Sequence, residues 1–141
     1  MEKINFTIAI PTFNSIKNLK KSINSVLNQN IPSGVNLTIA ISNIASHDGT
    51  YDYLETLKKK KKFNIHNSRF DKTDSQSLNL YCLGNMIPNN SNWVWLLGDD
   101  DQLTHENVIA NVCDKIINNF DEDLNLVVAC GANRCRQTNE I

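Results

Sequence analysis

The sequence predicts an α/β domain built on a mostly parallel sheet flanked by helices, and three observations carry that expectation. Short runs rich in β-branched and aromatic residues alternate with segments whose apolar residues recur at three- and four-residue steps. The run at 93–97, Trp-Val-Trp-Leu-Leu, is apolar at every position, as a central strand covered on both faces would be. The chain has 141 residues, 40% of them hydrophobic and 21% charged, which suits one domain with an ordinary core.

Element by element, Phe6-Thr-Ile-Ala-Ile reads as a first strand stopped by Pro11. Ile16, Leu19, Ile23, Val26 and Leu27 then mark one face of an amphipathic helix, ended by Asn-Gln-Asn, Pro32 and Gly34. Residues 37–42 repeat the strand signature, Asp48-Gly49 supplies a turn, and a second helix follows over 50–60. Residues 63–66 form a weak third strand. Ser75 or Ser77 caps a third helix with Leu78, Cys82 and Met86 on its inner side. After the strand at 93–97, Thr104 caps a helix that turns Val108, Ile109, Val112, Cys113, Ile116 and Ile117 inward, and 124–129 returns as a strand.

With 14 basic and 15 acidic side chains the formal net charge is −1, so no bulk attraction to nucleic acid or to an anionic membrane is built in. The longest apolar runs fall far short of the ~20 residues of a membrane-spanning helix. The Met-Glu-Lys start runs straight into a strand, and a cytoplasmic chain, or one peripheral to a membrane, is expected. Cys82, Cys113 and Cys130 fall on apolar faces as small core residues. Cys130 and Cys135 are too far apart for a Cys-x-x-Cys pair, so structural zinc is not expected. The five lysines at 58–62 stand at a helix C-terminus, where cations complement the dipole and stay solvated.

In open parallel sheets ligands bind beyond the carboxyl ends of the strands. Pro11-Thr12-Phe13-Asn14, the segment 43–49 and Gly98-Asp99-Asp100-Asp101 all fall on that rim. Three adjacent aspartates repel one another unless a cation neutralises them, and oxygen-only ligands favour Mg²⁺ or Mn²⁺; the alternative is a solvated acidic loop at a helix N-terminus. His47 and His105 are read as solvent-facing, Trp93 and Trp95 as packing residues, and Asp48 as shaping its turn.

The stretch from Phe6 through Ile10-Pro-Thr-Phe-Asn14, with Leu19-Lys-Lys-Ser-Ile-Asn-Ser-Val-Leu-Asn-Gln29 behind it, resembles the opening of family-2 glycosyltransferases. Ser46-His-Asp-Gly-Thr50 is similar to that family's Ser-Thr-Asp-Gly-Thr turn, and Trp93 through Asp101 to its Asp-x-Asp (DxD) strand end. The resemblance implies a Rossmann-like GT-A fold over 1–141, the donor-binding part of a glycosyltransferase, cut short before the acceptor site; the catalytic base is expected beyond Ile141. It implies that Pro11, Thr12, Phe13, Asn14, Asn43, Asn79, Asp99 and Asp100 bind the nucleotide and that Asp99, Asp100 and Asp101 hold Mn²⁺ or Mg²⁺. It further implies inverting transfer of a sugar from a nucleotide-diphosphate donor to a glycan or lipid-linked acceptor, as in polysaccharide biosynthesis.

The sequence also departs from the family pattern. Asn43 stands where an Asp usually follows the second strand, and Ser77-Leu78-Asn79 stands where an Ala-Arg-Asn block often brings an Arg near the phosphates. An Asn offers one acceptor and one donor, an edge that complements uracil or thymine and leaves a donor unpaired against guanine, so a UDP- or dTDP-sugar is expected. A degenerate domain that binds nucleotide sugar without turnover is the alternative. A phosphoacceptor receiver domain would want an acidic pair after the first strand and a lysine after the last, where this chain has Thr12-Phe13-Asn14 and Cys130-Gly131.

Overall fold

The computed structural model describes residues 3–69 and 76–119, and the strand expected at 124–129 and Ser75 lie outside them. In chain order the elements are β1 (Ile4–Thr12), α1 (Ile16–Leu27), β2 (Val35–Ile44), α2 (Thr50–Leu57), β3 (Phe63–Ser68), α3 (Gln76–Gly84), β4 (Trp93–Leu96) and α4 (Val108–Asn119). All strand pairs are parallel, and the sheet order is β3-β2-β1-β4. The chain therefore steps outward from β1 to β3, then crosses back to the other side of β1. That reversal opens a crevice at the carboxyl ends of β1 and β4, the place where such sheets bind ligands.

Strand alternation divides the core. Phe6, Ile8 and Ile10 of β1, Ile39 and Ile41 of β2 and Phe63 of β3 pack with Leu19, Ile23 and Val26 of α1, Leu54 and Leu57 of α2, and Ile109 and Cys113 of α4. Trp93 and Trp95 lie against this cluster, the packing role read from the sequence. On the opposite face Ala9 and Ala40 meet Leu83, and the small alanine side chains let α3 lie close to the sheet. Burial pushes the Cys113 thiol above its ordinary pKa, as befits a core residue.

The structure corrects several expectations. Pro11 does not end β1: the strand runs on to Thr12, with Pro11 beside Ser42 and Thr12 beside Asn43. Pairing with β4 stops at Ala9, so the missing proline N–H leaves no gap in a ladder on that side. Helix α2 stops at Leu57, three residues before the expected end, and the lysines that follow form an exposed turn in which Lys58 pairs with Glu55 at 2.7 Å. In α3 the fully buried positions are Asn79 and Leu83; Leu78 and Cys82 are only half-buried, Met86 lies past the helix end and packs against the Leu83 cluster on the inner side, and Ser77 lies inside the helix rather than capping it. Thr104 stands four residues ahead of α4 and does not cap it; Ile117 is 49% exposed rather than inward. Among the described residues β4 is an edge strand, and Val94 and Leu96 on its second face are 41% and 59% exposed.

Candidate active site at the β1–β4 crevice

A cleft of about 440 Å³ opens at this crevice, lined by Pro11, Thr12, Phe13, Ile44, Gln76, Asn79, Gly98, Asp99 and Asp100. Six of the residues expected to bind nucleotide, Pro11, Thr12, Phe13, Asn79, Asp99 and Asp100, are thus brought together from β1, α3 and the turn after β4. The Thr12 hydroxyl donates to Asp99 Oδ2 at 2.7 Å, and Asn79 Nδ2 donates to the Thr12 carbonyl at 2.9 Å. Asn79 is 7% exposed, and its Oδ1 has no hydrogen-bond partner among the described residues. A buried acceptor left unpaired in this way costs stability unless something else supplies the donor.

Asp100 and Asp101 belong to a tight turn closed by the Asp101 N–H donating to the Gly98 carbonyl at 3.1 Å. A Cβ at residue 98 would stand 2.8 Å from Asp101 Oδ2 and 2.9 Å from Asp100 Oδ1, so the two carboxylates crowd one side of Gly98. Asp99 is drawn away toward Thr12. The expected three-carboxylate cluster is therefore not formed: among the described residues no group of three His, Cys, Asp or Glu side chains could hold a metal ion. Two neighbouring carboxylates still fit the oxygen chemistry of Mg²⁺ or Mn²⁺, which commonly take one or two carboxylates and complete their shell with phosphate oxygens and water. Among the described residues the cleft lining includes no Lys or Arg.

Asn14 and Asn43 lie beside the cleft rather than in its lining. Asn43 is fully buried, its Nδ2 donating to Asn67 Oδ1 at 2.7 Å and its Oδ1 accepting from the Ser46 hydroxyl. Asn67 in turn donates to the Tyr51 carbonyl and to Glu55 Oε1. A base arriving at Asn43 would meet this engaged network rather than a free amide. Asn14 adopts φ 47°, a left-handed conformation that Asn tolerates, and its Oδ1 accepts from the His47 N–H at 2.7 Å. Its own N–H donates to Ser46 Oγ at 2.8 Å, so the β1 and β2 rim loops are tied together.

Asp48 does shape its turn, and more. Its Oδ1 accepts from the Thr50 N–H and hydroxyl, while Oδ2 accepts from the Ile16 N–H at 2.8 Å. One carboxylate thereby serves the first turns of α2 and α1. The little desolvation at this exposed residue pushes its pKa up, but the bonds from Ile16 and Thr50 together outweigh it and leave the group below the ordinary value. His47 is exposed, as expected. His105 is exposed too, and its Nδ1 accepts from the Asn107 N–H rather than facing a metal.

Ile44, within the rim segment 43–49, does line the cleft; the sequence assigned nothing to Gln76, which lines it too, or to Asn67, which braces Asn43. Gln76 stood one residue ahead of the Ser-Leu-Asn block and could have been found from that alignment. The Asn67 contact joins two strands and has no local signal.

The glycosyl transferase family 2 model matches residues 7–138 of the chain. Among solved structures, the fold is similar to S. aureus TarS 1-349, with TM-score 0.67 and 16% identity, covering 82% of this chain and 33% of that one. It is also similar to TarS 1-349 in complex with UDP, at TM-score 0.64 and 18% identity, and in complex with UDP-GlcNAc, at 0.65 and 17%, each covering 82% of this chain and 32% of the other. The chain thus spans about a third of the TarS chains it resembles. No curated protein matches the sequence. The likeness to TarS identifies the four-stranded parallel sheet as a GT-A fold, and the match over nearly the whole sequence makes this chain a member of glycosyl transferase family 2.

Proposed function

We propose that residues 1–141 form the nucleotide-sugar-binding part of a metal-dependent glycosyltransferase. The donor is a UDP- or dTDP-sugar, and the acceptor is a hydroxyl of a glycan or lipid-linked sugar, attacked with inversion. The observation that carries this reading is the cleft itself, in which Asp99 and Asp100 line a site with no described Lys or Arg. A diphosphate approaching those carboxylates needs a bridging cation. Mn²⁺ or Mg²⁺ held by Asp100 and Asp101, when bound, would neutralise charge on the nucleoside-diphosphate leaving group.

The chain's own residues do the positioning. Thr12 fixes Asp99, which faces the ribose hydroxyls as their acceptor. Asn79 Oδ1 takes a hydroxyl or ring N–H of the nucleotide, a donor that none of the described residues supplies. Phe13, 49% exposed at the cleft edge, offers its ring to the base. Uracil as that base is supported by the TarS structures solved with UDP and UDP-GlcNAc.

Binding without turnover is the second reading, favoured by one feature: among the described residues Asp99 and Asp100 are the titratable groups in the cleft lining, and both stand on the donor side. Amide chemical-shift mapping with UDP and Mn²⁺ tests the site common to both readings. Perturbations should concentrate at 11–13, 76–79 and 98–101; perturbations confined to other surfaces would contradict the assignment. Release of free sugar from UDP-GlcNAc, or its transfer to an acceptor, would then exclude the binding-only reading.

A further inference from the structure

One face of α1 and Gln29, two residues past its end, grip the loop that carries the aspartates. Ser22 and Ser25 stand three residues apart and Gln29 four further on, a spacing that aligns them on one side of the helix. Ser22, fully buried, donates through Oγ to the Gly98 carbonyl at 3.3 Å, the same carbonyl that closes the Asp101 turn. Ser25 Oγ accepts from the Leu103 N–H at 3.0 Å and donates to the Ser22 carbonyl at 2.7 Å.

Gln29 is 8% exposed and spends its whole amide. Its Nε2 donates to the Ser25 carbonyl at 3.1 Å and to the His105 carbonyl at 2.7 Å, and its Oε1 accepts from the Ile109 N–H at 3.0 Å. That last bond caps the first turn of α4 from 80 residues away. Asn30 adds two more bonds, from its N–H to the Glu106 carbonyl at 2.7 Å and from Nδ2 to Asn107 Oδ1 at 2.9 Å.

A loop of this length with no regular structure of its own would sample many conformations, and ordering it is costly. Here the tethers reach it at Gly98, Leu103 and His105 and hold the start of α4 at Ile109, so the turn bearing Asp99, Asp100 and Asp101 is held from behind. None of the three α1-side residues lines the cleft. We propose that Ser22, Ser25 and Gln29 are positioning residues for donor binding: they hold the 98–107 loop and the first turn of α4 so that the carboxylates meet the diphosphate and its cation without reorganisation. This inference rests on the donor-site reading above.

The test uses the full chain carrying Gln29→Ala, Gln29→Glu, Ser25→Ala or Ser25→Thr, with amide hydrogen exchange and UDP titration in Mn²⁺ as separate readouts. Leu57→Ala, a core change on α2, serves as a control for general destabilisation. Gln29→Ala and Ser25→Ala should accelerate exchange across 98–109 but not in β1 or β2, and weaken UDP binding on the order of tenfold. Ser25→Thr, which keeps the hydroxyl, should bind as wild type. Gln29→Glu, which keeps only the acceptor, should loosen 103–107 more than Ile109. Leu57→Ala should lower Tm without changing UDP affinity. Unchanged exchange at 98–109 overturns the tether. Faster exchange with unchanged UDP affinity overturns the positioning role, as does an equal loss of affinity in Leu57→Ala. If wild type binds no UDP, the donor reading falls and with it the positioning role, while the exchange arm still decides whether the tether exists.

Discussion

The Thr12 hydroxyl donates to Asp99 Oδ2 across 2.7 Å, joining the ends of two adjacent parallel strands that are 87 residues apart in sequence. Thr12 is 2% exposed and is itself held through its carbonyl by Asn79. A hydrogen bond to a charged acceptor contributes about 1.5–3 kcal/mol, so a carboxylate with this partner has a defined orientation.

Thr12→Val keeps the shape and removes that donor. UDP affinity in Mn²⁺ should fall about tenfold, whereas Thr12→Ser should retain it. Calorimetric titration of both variants checks this, and wild-type affinity in Thr12→Val would show that Asp99 is oriented by something else.

A second expectation concerns Gly98. The Cβ of Gly98→Ala would stand within 3.0 Å of the Asp100 and Asp101 carboxylates, which are exposed and can swing aside. The fold should tolerate the change with less than about 1 kcal/mol of destabilisation, while Mn²⁺-dependent nucleotide binding weakens because the carboxylates are displaced. Urea denaturation and titration of the same sample separate the two effects. An undisturbed nucleotide affinity would mean that their position at Gly98 is irrelevant.

Asn43 yields an expectation about stability. In Asn43→Asp the donor to Asn67 Oδ1 is lost and two acceptors face each other. Asn67 cannot turn its amide without releasing Tyr51 and Glu55. Destabilisation of about 1–3 kcal/mol should follow, read from the urea midpoint at neutral pH. A variant as stable as wild type would show that the buried network is not a brace.

Asp48 adds a dependence on pH. Its pKa in the folded chain is lowered: burial acts against the shift, and the hydrogen bonds from Ile16 and Thr50 overcome it. The stabilisation is therefore complete above the unfolded value of about 4 and is lost as pH falls through the lower folded value. Asp48→Ala should cost about 0.5–1 kcal/mol at pH 7, a capping contribution discounted for the solvent around this exposed carboxylate, and the difference from wild type should shrink below about pH 4. A difference that stays constant down to pH 2 would contradict this.

What the sequence made legible follows from the range of each interaction. β1, α1 and β2 could be read because their apolar periods are local, and the rim segments because strand ends gather wherever strands run parallel. The inner face of α3 centres on Asn79 and Leu83 rather than on Leu78 and Cys82, because a buried asparagine carries no hydrophobic signal. At β4 the double-sided apolar run suggested a central strand, yet Val94 and Leu96 face outward among the described residues. The grip of Gln29 on Ile109 and of Thr12 on Asp99 spans 80 and 87 residues, and no local spacing encodes such pairs.

The central claim is that this cleft binds a nucleoside diphosphate through a cation held by Asp100, which lines it, and the neighbouring Asp101. Titrating UDP into the wild-type chain with Mn²⁺, then in EDTA, then into the Asp100→Asn, Asp101→Asn double variant tests it directly. The account predicts saturable binding with Mn²⁺, loss of that binding in EDTA, and weakening by on the order of tenfold or more in the double variant. Equal affinity in EDTA, or a double variant that binds as wild type does, would contradict it.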